Sequence, residues 1–178
     1  MNRNIHRPPH IYLDNTIYFV TLSTLNKIRY FNTDPKKQLF ENLLMKGAEK
    51  YLSELYAWTI LDNHTHLLIK TLLSKLMPKF FNFVEGKSSI ELNKIENQLG
   101  RKIWYQYLDR CIRNEADFYR HLNYIHHNCI KHKCSTAMEN YKWSSYHKYQ
   151  EKYGKDWILS CFGKYPVIDF TPQDKDDF

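Results

Sequence analysis

No run of about 18 apolar residues occurs anywhere in this 178-residue chain, so a membrane-spanning helix is not expected. The opening stretch, MNRNIHRPPHIYLDN, has no apolar segment of the kind a secretory leader needs. The four cysteines, Cys111, Cys129, Cys134 and Cys161, contain no Cys-x-x-Cys pair. Together these absences predict reduced thiols and a cytoplasmic protein. Cys129, His132 and Cys134 could be imagined around zinc, but their spacing fits no common zinc module. A His-Glu-x-x-His pattern is also missing, which disfavours a zinc hydrolase. Gly86-Lys87-Ser88-Ser89 has the ending of a phosphate-binding loop, yet the motif's first glycine would fall on Phe81. Phenylalanine denies the backbone the close approach to phosphate that such a loop needs, and this excludes an NTPase. With no internal repeat and no low-complexity tract, the length suits one domain with a real core.

What the chain does hold is charge and rings. Aromatic residues make up 16% of it, including 14 tyrosines, and the excess of Lys and Arg gives a formal charge of +7. Cations neutralise phosphates and flat rings stack on unpaired bases, so the composition suits nucleic acid. A basic protein whose tyrosines simply pack inside is the competing account.

Thr16 to Leu22 is β-branched and aromatic and predicts a strand. Asp34-Pro35 starts a helix, with Asp as N-cap, whose apolar stripe runs to about Leu55. Tyr56 to Leu61 predicts a second strand, and Asp62-Asn63 turns it into a third from His64 to Leu72. A helical region beginning near Pro78 runs to a stop at Gly100; Ile103 to Leu108 is the fourth strand, and another helix covers about Asn114 to Ile130. This order predicts an α+β fold: a ferredoxin-like βαββαβ antiparallel sheet with helices packed on one face, plus a further helix and a C-terminal extension. Beyond about Tyr149 the pattern is less regular, and TPQDKDDF reads as a frayed acidic end.

Within the third strand, alternation points His64 and His66 to the same face and Thr65 and Leu67 to the other. Two such imidazoles are either exposed strand histidines or half of a divalent-metal site. On the following helix, Phe118, Leu122 and Ile125 form the stripe that should pack on the sheet. Tyr124 and Asn128, four residues apart, project together from the border of that stripe. A phenol is a poor nucleophile near neutrality, but it can attack a phosphate held on a cation. The alternative is a half-buried aromatic and a helix-ending amide.

Several motifs taken in order resemble the single-tyrosine transposases of the HUH nuclease class, closest to the REP-associated branch. They are Arg7-Pro8-Pro9-His10-Ile11-Tyr12, Tyr18-Phe19-Val20-Thr21 and Asn63-His64-Thr65-His66-Leu67-Leu68-Ile69, then Gly100, Trp104 and Asp109 to Glu115, then Tyr124-Ile125-His126-His127-Asn128 and Tyr141-Lys142-Trp143-Ser144-Ser145-Tyr146. The resemblance implies a transposase domain over residues 1–149, followed by an extension, 150–178, of unassigned role. It implies that His64, His66 and Asn128 hold Mg²⁺ or Mn²⁺ and that Tyr124 is the nucleophile. The implied activity is cleavage and rejoining of single-stranded DNA through a 5′-phosphotyrosine, on hairpin-bearing strands from repetitive palindromic elements. A monomer is implied, with a dimer as the alternative. Departures are Thr65 between the histidines, Cys129 where the family has Pro, and Lys133 where a Gly often lies; none falls on a chemical position.

For DNA contact, Lys27, Arg29, Lys36, Lys37, Lys87, Arg101, Lys102, Arg110 and Arg113 are candidates for phosphates, and Trp104, Tyr105 and Tyr107 for stacking. Arg110 and Arg113, between the fourth strand and the Tyr124 helix, are the foremost of these. An inactive single-stranded nucleic-acid-binding protein on the same fold is the other functional reading.

Overall fold

The computed structural model describes residues 10–167; its first regular element is β1, Thr16–Thr24, whose β-branched and aromatic side chains favour a pleated, half-buried surface. There follow α1 (Asp34–Lys50), β2 (Ser53–Ile60), β3 (His64–Thr71), α2 (Met77–Ile95), β4 (Trp104–Cys111), α3 (Glu115–Lys131), α4 (Tyr146–Tyr153) and α5 (Lys155–Lys164). All neighbouring strands are antiparallel, in the order β2-β3-β1-β4. This is the ferredoxin-like α+β arrangement expected from the sequence, with α3 to α5 added after the last strand. No helix among the described residues is long and apolar enough to cross a membrane.

Strand alternation divides the core in two. Val20, Leu22, Leu67 and Ile69 point to one face, where α1 and α2 cover them with Phe40, Leu44, Phe80, Phe81 and Val84. Phe19 and Leu68 point to the other, against Leu122 and Ile125 of α3. So α1 and α2 share one face as expected, while α3 occupies the opposite layer. The start of α3 is fixed by Asn114, whose side chain accepts the Asp117 N–H at 2.9 Å. On the other layer α1 and α2 meet at Gly47, where a Cβ would lie 3.0 Å from Phe80 and 3.1 Å from Val84. Gly47→Ala should therefore lower stability by about 1–3 kcal/mol through overpacking, outweighing alanine's better helix propensity. A urea-unfolding midpoint that stays put or rises would refute this.

The structure corrects several boundaries. α1 stops at Lys50, because Leu52 takes a left-handed backbone (φ 51°) and β2 begins at Ser53. Leu55 prolonged the helical stripe in the sequence only because it meets the same core from a strand. α2 likewise ends at Ile95, before Gly100, with the left-handed turn taken by Asn97 (φ 52°), a residue that tolerates it. β4 runs on to Cys111 as an edge strand whose Asp109 and Arg110 hide it from a propensity reading.

The segment after Tyr149 is not irregular. It holds the end of α4 and all of α5, and Asn123 of α3 donates from Nδ2 to the carbonyls of Cys161 (3.1 Å) and Tyr165 (2.7 Å). Arg7-Pro8-Pro9 and the acidic TPQDKDDF lie outside the described residues.

Candidate active site

The hairpin between β2 and β3 turns at Leu61-Asp62-Asn63 and delivers His64 and His66 to the α3 side of the sheet. In register, His64 lies opposite Ser23 of β1, and His66 opposite Thr21. Both imidazoles are buried, with ring centroids 5.0 Å apart. Asn63 Oδ1 accepts from Nδ1 of His64 at 2.7 Å, and since an amide oxygen only accepts, His64 Nε2 keeps its lone pair. Thr21 Oγ1 meets Nδ1 of His66 at 2.9 Å, which fixes that ring by its other nitrogen and leaves Nε2 for a different partner.

Burial pushes the His64 imidazole down to about 3, with His132 and the charges of Lys131 and Lys27 adding to it. His66 is held well below its ordinary value, again by burial first and then by His64 and His132. Both rings are therefore neutral at pH 7, the form that binds a metal.

α3 faces the pair with one row of side chains, Tyr124, Asn128 and His132, spaced four residues apart so that they stack along one side of the helix. The Tyr124 ring lies 5.3 Å from His66 and 5.8 Å from Phe19, centroid to centroid. Asn128 is fully buried beside both imidazoles. His132, at the helix end, brings its ring to 4.7 Å from His64. Lys131 sets its ammonium 5.4 Å from the centre of the Tyr124 ring. Thus the structure brings together all four side chains the sequence singled out for chemistry.

Two devices hold α3 in this position. Thr59 of β2 donates its hydroxyl to the carbonyl of Ile125, one residue past the tyrosine, at 2.7 Å. The Trp143-Ser144-Ser145-Tyr146 segment docks on the β2 edge: the Ile60 N–H donates to Trp143 O, and the Ser145 N–H to Trp58 O, both at 2.9 Å. Ser145 Oγ then accepts from the Trp58 N–H and meets Nε2 of buried His126, each at 3.0 Å. That motif clamps the helix to the sheet.

His66 Nε2 and both polar atoms of the Asn128 amide are shut away from solvent, with the amide set against both imidazoles. Two imidazole nitrogens and an amide oxygen are a donor set that could hold a divalent cation. Among the described residues no three His, Cys, Asp or Glu side chains converge as a metal-binding group, and that includes Cys129, His132 and Cys134.

The DNA candidates are scattered. Trp104 is corrected: it is buried in the α1–α2 core and donates from Nε1 to Ser88 Oγ at 2.9 Å, so it cannot stack on a base. Tyr107 is packed against Phe81, with centroids 4.1 Å apart. Lys36 and Arg101 are both joined to Glu96, and Lys37 is buried against Asp62, so these three serve the fold. Lys87 is exposed, but on α2, the layer away from the histidines. Arg113 is exposed at the start of α3, 3.3 Å from Asp117. Arg110 is exposed on β4 opposite Phe19, hence on the histidine face, and Tyr105 is exposed on the same strand. A polar cleft of about 530 Å³ opens beside His64, bounded by Arg29, Asn32, Asn63, His132 and Lys133. From the sequence His132 was weighed only as a zinc ligand and Lys131 not at all; the four-residue step from Tyr124 through Asn128 to His132 was the available signal.

Known proteins agree with this architecture. The sequence model for IS200-like transposases matches residues 13–110. Over 161 residues, 79% of this chain and 86% of the relative, the sequence is 26% identical to a Haemophilus influenzae protein assigned as a REP-associated tyrosine transposase. A solved REP-associated tyrosine transposase bound to a REP hairpin superposes with a TM-score of 0.70, covering 83% of this chain and 87% of that one at 17% identity. With more than half of its length matched by the family model, the chain belongs to the IS200-like transposases.

Proposed function

We propose that the protein cleaves and rejoins single-stranded, hairpin-bearing DNA through a covalent link to Tyr124. Membership of a transposase family supports a DNA-processing enzyme. The similar fold solved with a REP hairpin supports a structured strand as the substrate. The observation that carries the chemistry is the closeness of Tyr124 to a pair of neutral imidazoles with the buried Asn128 amide set against both rings.

His64, His66 and Asn128 would hold a divalent cation, Mg²⁺ or Mn²⁺, which when bound withdraws charge from a phosphate oxygen and fixes the phosphate for in-line attack. Nitrogen donors suit Mn²⁺ better than the harder Mg²⁺. The chain does the rest. Oη of Tyr124 attacks phosphorus, the P–O3′ bond breaks, the phenolic proton is lost and the departing 3′ oxygen gains one. The strand end stays joined to the enzyme as a 5′-phosphotyrosine, and attack by a free 3′-OH reverses the step without a nucleotide cofactor. The Lys131 ammonium favours the phenolate as it forms. Lys131 lies over the tyrosine and His132 against His64, so a strand gains access by moving the side chains of the last turn of α3.

The test is incubation of the full chain with end-labelled, hairpin-bearing single strands and Mn²⁺, read on a denaturing gel. A labelled protein–DNA band should form, vanish with a chelator and return when Mn²⁺ is restored. Hairpin binding with no such band under any of several divalent cations would favour the inactive binding protein and overturn the proposal.

A further inference from the structure

We propose that a cleft on the uncovered half of the histidine-bearing sheet face, walled by Tyr105, Gln106 and Leu108 of β4, holds one unpaired nucleobase of the strand being cleaved. The assignment rests on the DNA-cleavage reading above and adds to it a base-specific pocket.

The register positions it. Across the sheet, His64, Ser23 and Gln106 form one row, and His66, Thr21 and Leu108 the next. β4 is two strand spacings from β3, about 10 Å, so the cleft lies beside the imidazole pair at a distance one nucleotide can bridge. α3 packs over β2 and β3 and leaves the β4 side of this face uncovered. There a space of about 310 Å³ is bounded by Ser23, Asn26, Lys27, Tyr105, Gln106 and Leu108.

The walls have the chemistry of a base site. Tyr105 and Leu108, at 40% and 42% exposure, are large apolar side chains on an edge strand that other proteins would make charged. Strict alternation would send Tyr105 to the opposite face from Gln106. A β-bulge prevents that: Ser23 pairs with Gln106 and Thr24 with Trp104, so Tyr105 is the extra residue and both it and Gln106 line the same cleft. A ring for stacking thus stands next to a carboxamide that can both donate to and accept from a base edge. The cleft's lip is the turn after β1, where Asn26 and Lys27 hold left-handed backbones (φ 53° and 58°). The chain's excess positive charge and the continuity of the cleft with the histidine rows favour a nucleic-acid occupant over an apolar peptide.

The experiment uses hairpin-bearing strands in which 2-aminopurine replaces one base at a time on either side of the cleavage point. They are bound to full-length Tyr124→Phe protein so that the DNA stays intact. One position should be strongly quenched, and adding Tyr105→Ala should relieve that position alone and weaken binding roughly tenfold, whereas Tyr105→Phe should do neither. In the same Tyr124→Phe background, with strands selected for binding from pools randomised around that position, Gln106→Ala should flatten the base preference there and at no other position. Quenching that ignores Tyr105→Ala, or a base preference unchanged by Gln106→Ala, overturns the pocket. If no covalent adduct forms yet the single position still answers to Tyr105 and Gln106, the cleavage reading fails and the pocket stands.

Discussion

Replacing Tyr124 by Phe is expected to cut covalent adduct formation by at least about a thousandfold, some 4 kcal/mol of barrier, while hairpin affinity stays within about twofold. The substitution removes one oxygen and leaves the ring. That ring packs against Phe19 and His66 in a fully buried position, and Phe retains both contacts. Stability should therefore change by less than about 1 kcal/mol, small beside the loss of chemistry. A structural role for Tyr124 would give the reverse pattern, with thermal stability lowered and adduct formation reduced only in proportion to the folded fraction. Melting temperature, hairpin binding and the adduct band measured on the same preparation separate the two. An adduct of undiminished yield would remove Tyr124 as nucleophile.

The placement of the side chains around that oxygen was legible in part from two simple periods, and their union into one site came from the family resemblance. Alternation on a strand puts His64 and His66 on one face, and the four-residue step on a helix puts Tyr124 and Asn128 on one side. Each period fixes which face a side chain takes, and the strand and helix faces it assigned are the ones observed. Trp104 was misjudged because an indole at a strand start looks the same whether it faces a base or a core. Only the layer formed by α1 and α2 decides that Trp104 packs against Phe31 and Phe40. Tyr105 was assigned to stacking, yet the bulge that turns it toward the cleft is a property of the pairing of β1 with β4, which no local pattern encodes. The clamp made by Trp143 to Tyr146 likewise depends on bonds to residues some 85 positions earlier. α4 and α5 escaped notice for a related reason: they are short, and Tyr149, Tyr153 and Trp157 hold them by packing on one another and on Tyr119 of α3.

Acid should destabilise the protein steeply, beginning well above the pH at which carboxylates titrate. His64 and His126 are buried, and burial pushes each to about 3 in the folded chain against an ordinary value near 6.5. Between those values the unfolded chain binds a proton at each position that the folded chain refuses. The stability contributed by the neutral rings is thus fully present above pH 6.5 and is lost progressively as pH falls toward 3. Each ring then costs about 2 kcal/mol between pH 6.5 and 5, and His66 and His121, whose imidazoles are also lowered by burial, act in the same direction. A total of several kcal/mol is a large share of the roughly 5–15 kcal/mol that holds a typical domain folded. Urea unfolding at a series of pH values should show the midpoint falling from pH 7 to pH 5, and His126→Gln should flatten that slope by about one proton's worth. His126 is the right choice because it lies on the side of α3 that the clamp holds, against Ser145 Oγ, and not in the row with Tyr124 and Asn128. A midpoint constant from pH 7 to 5 would mean that these imidazoles gain protons while the fold stays intact, and that their surroundings admit water far more readily than the packing around them implies.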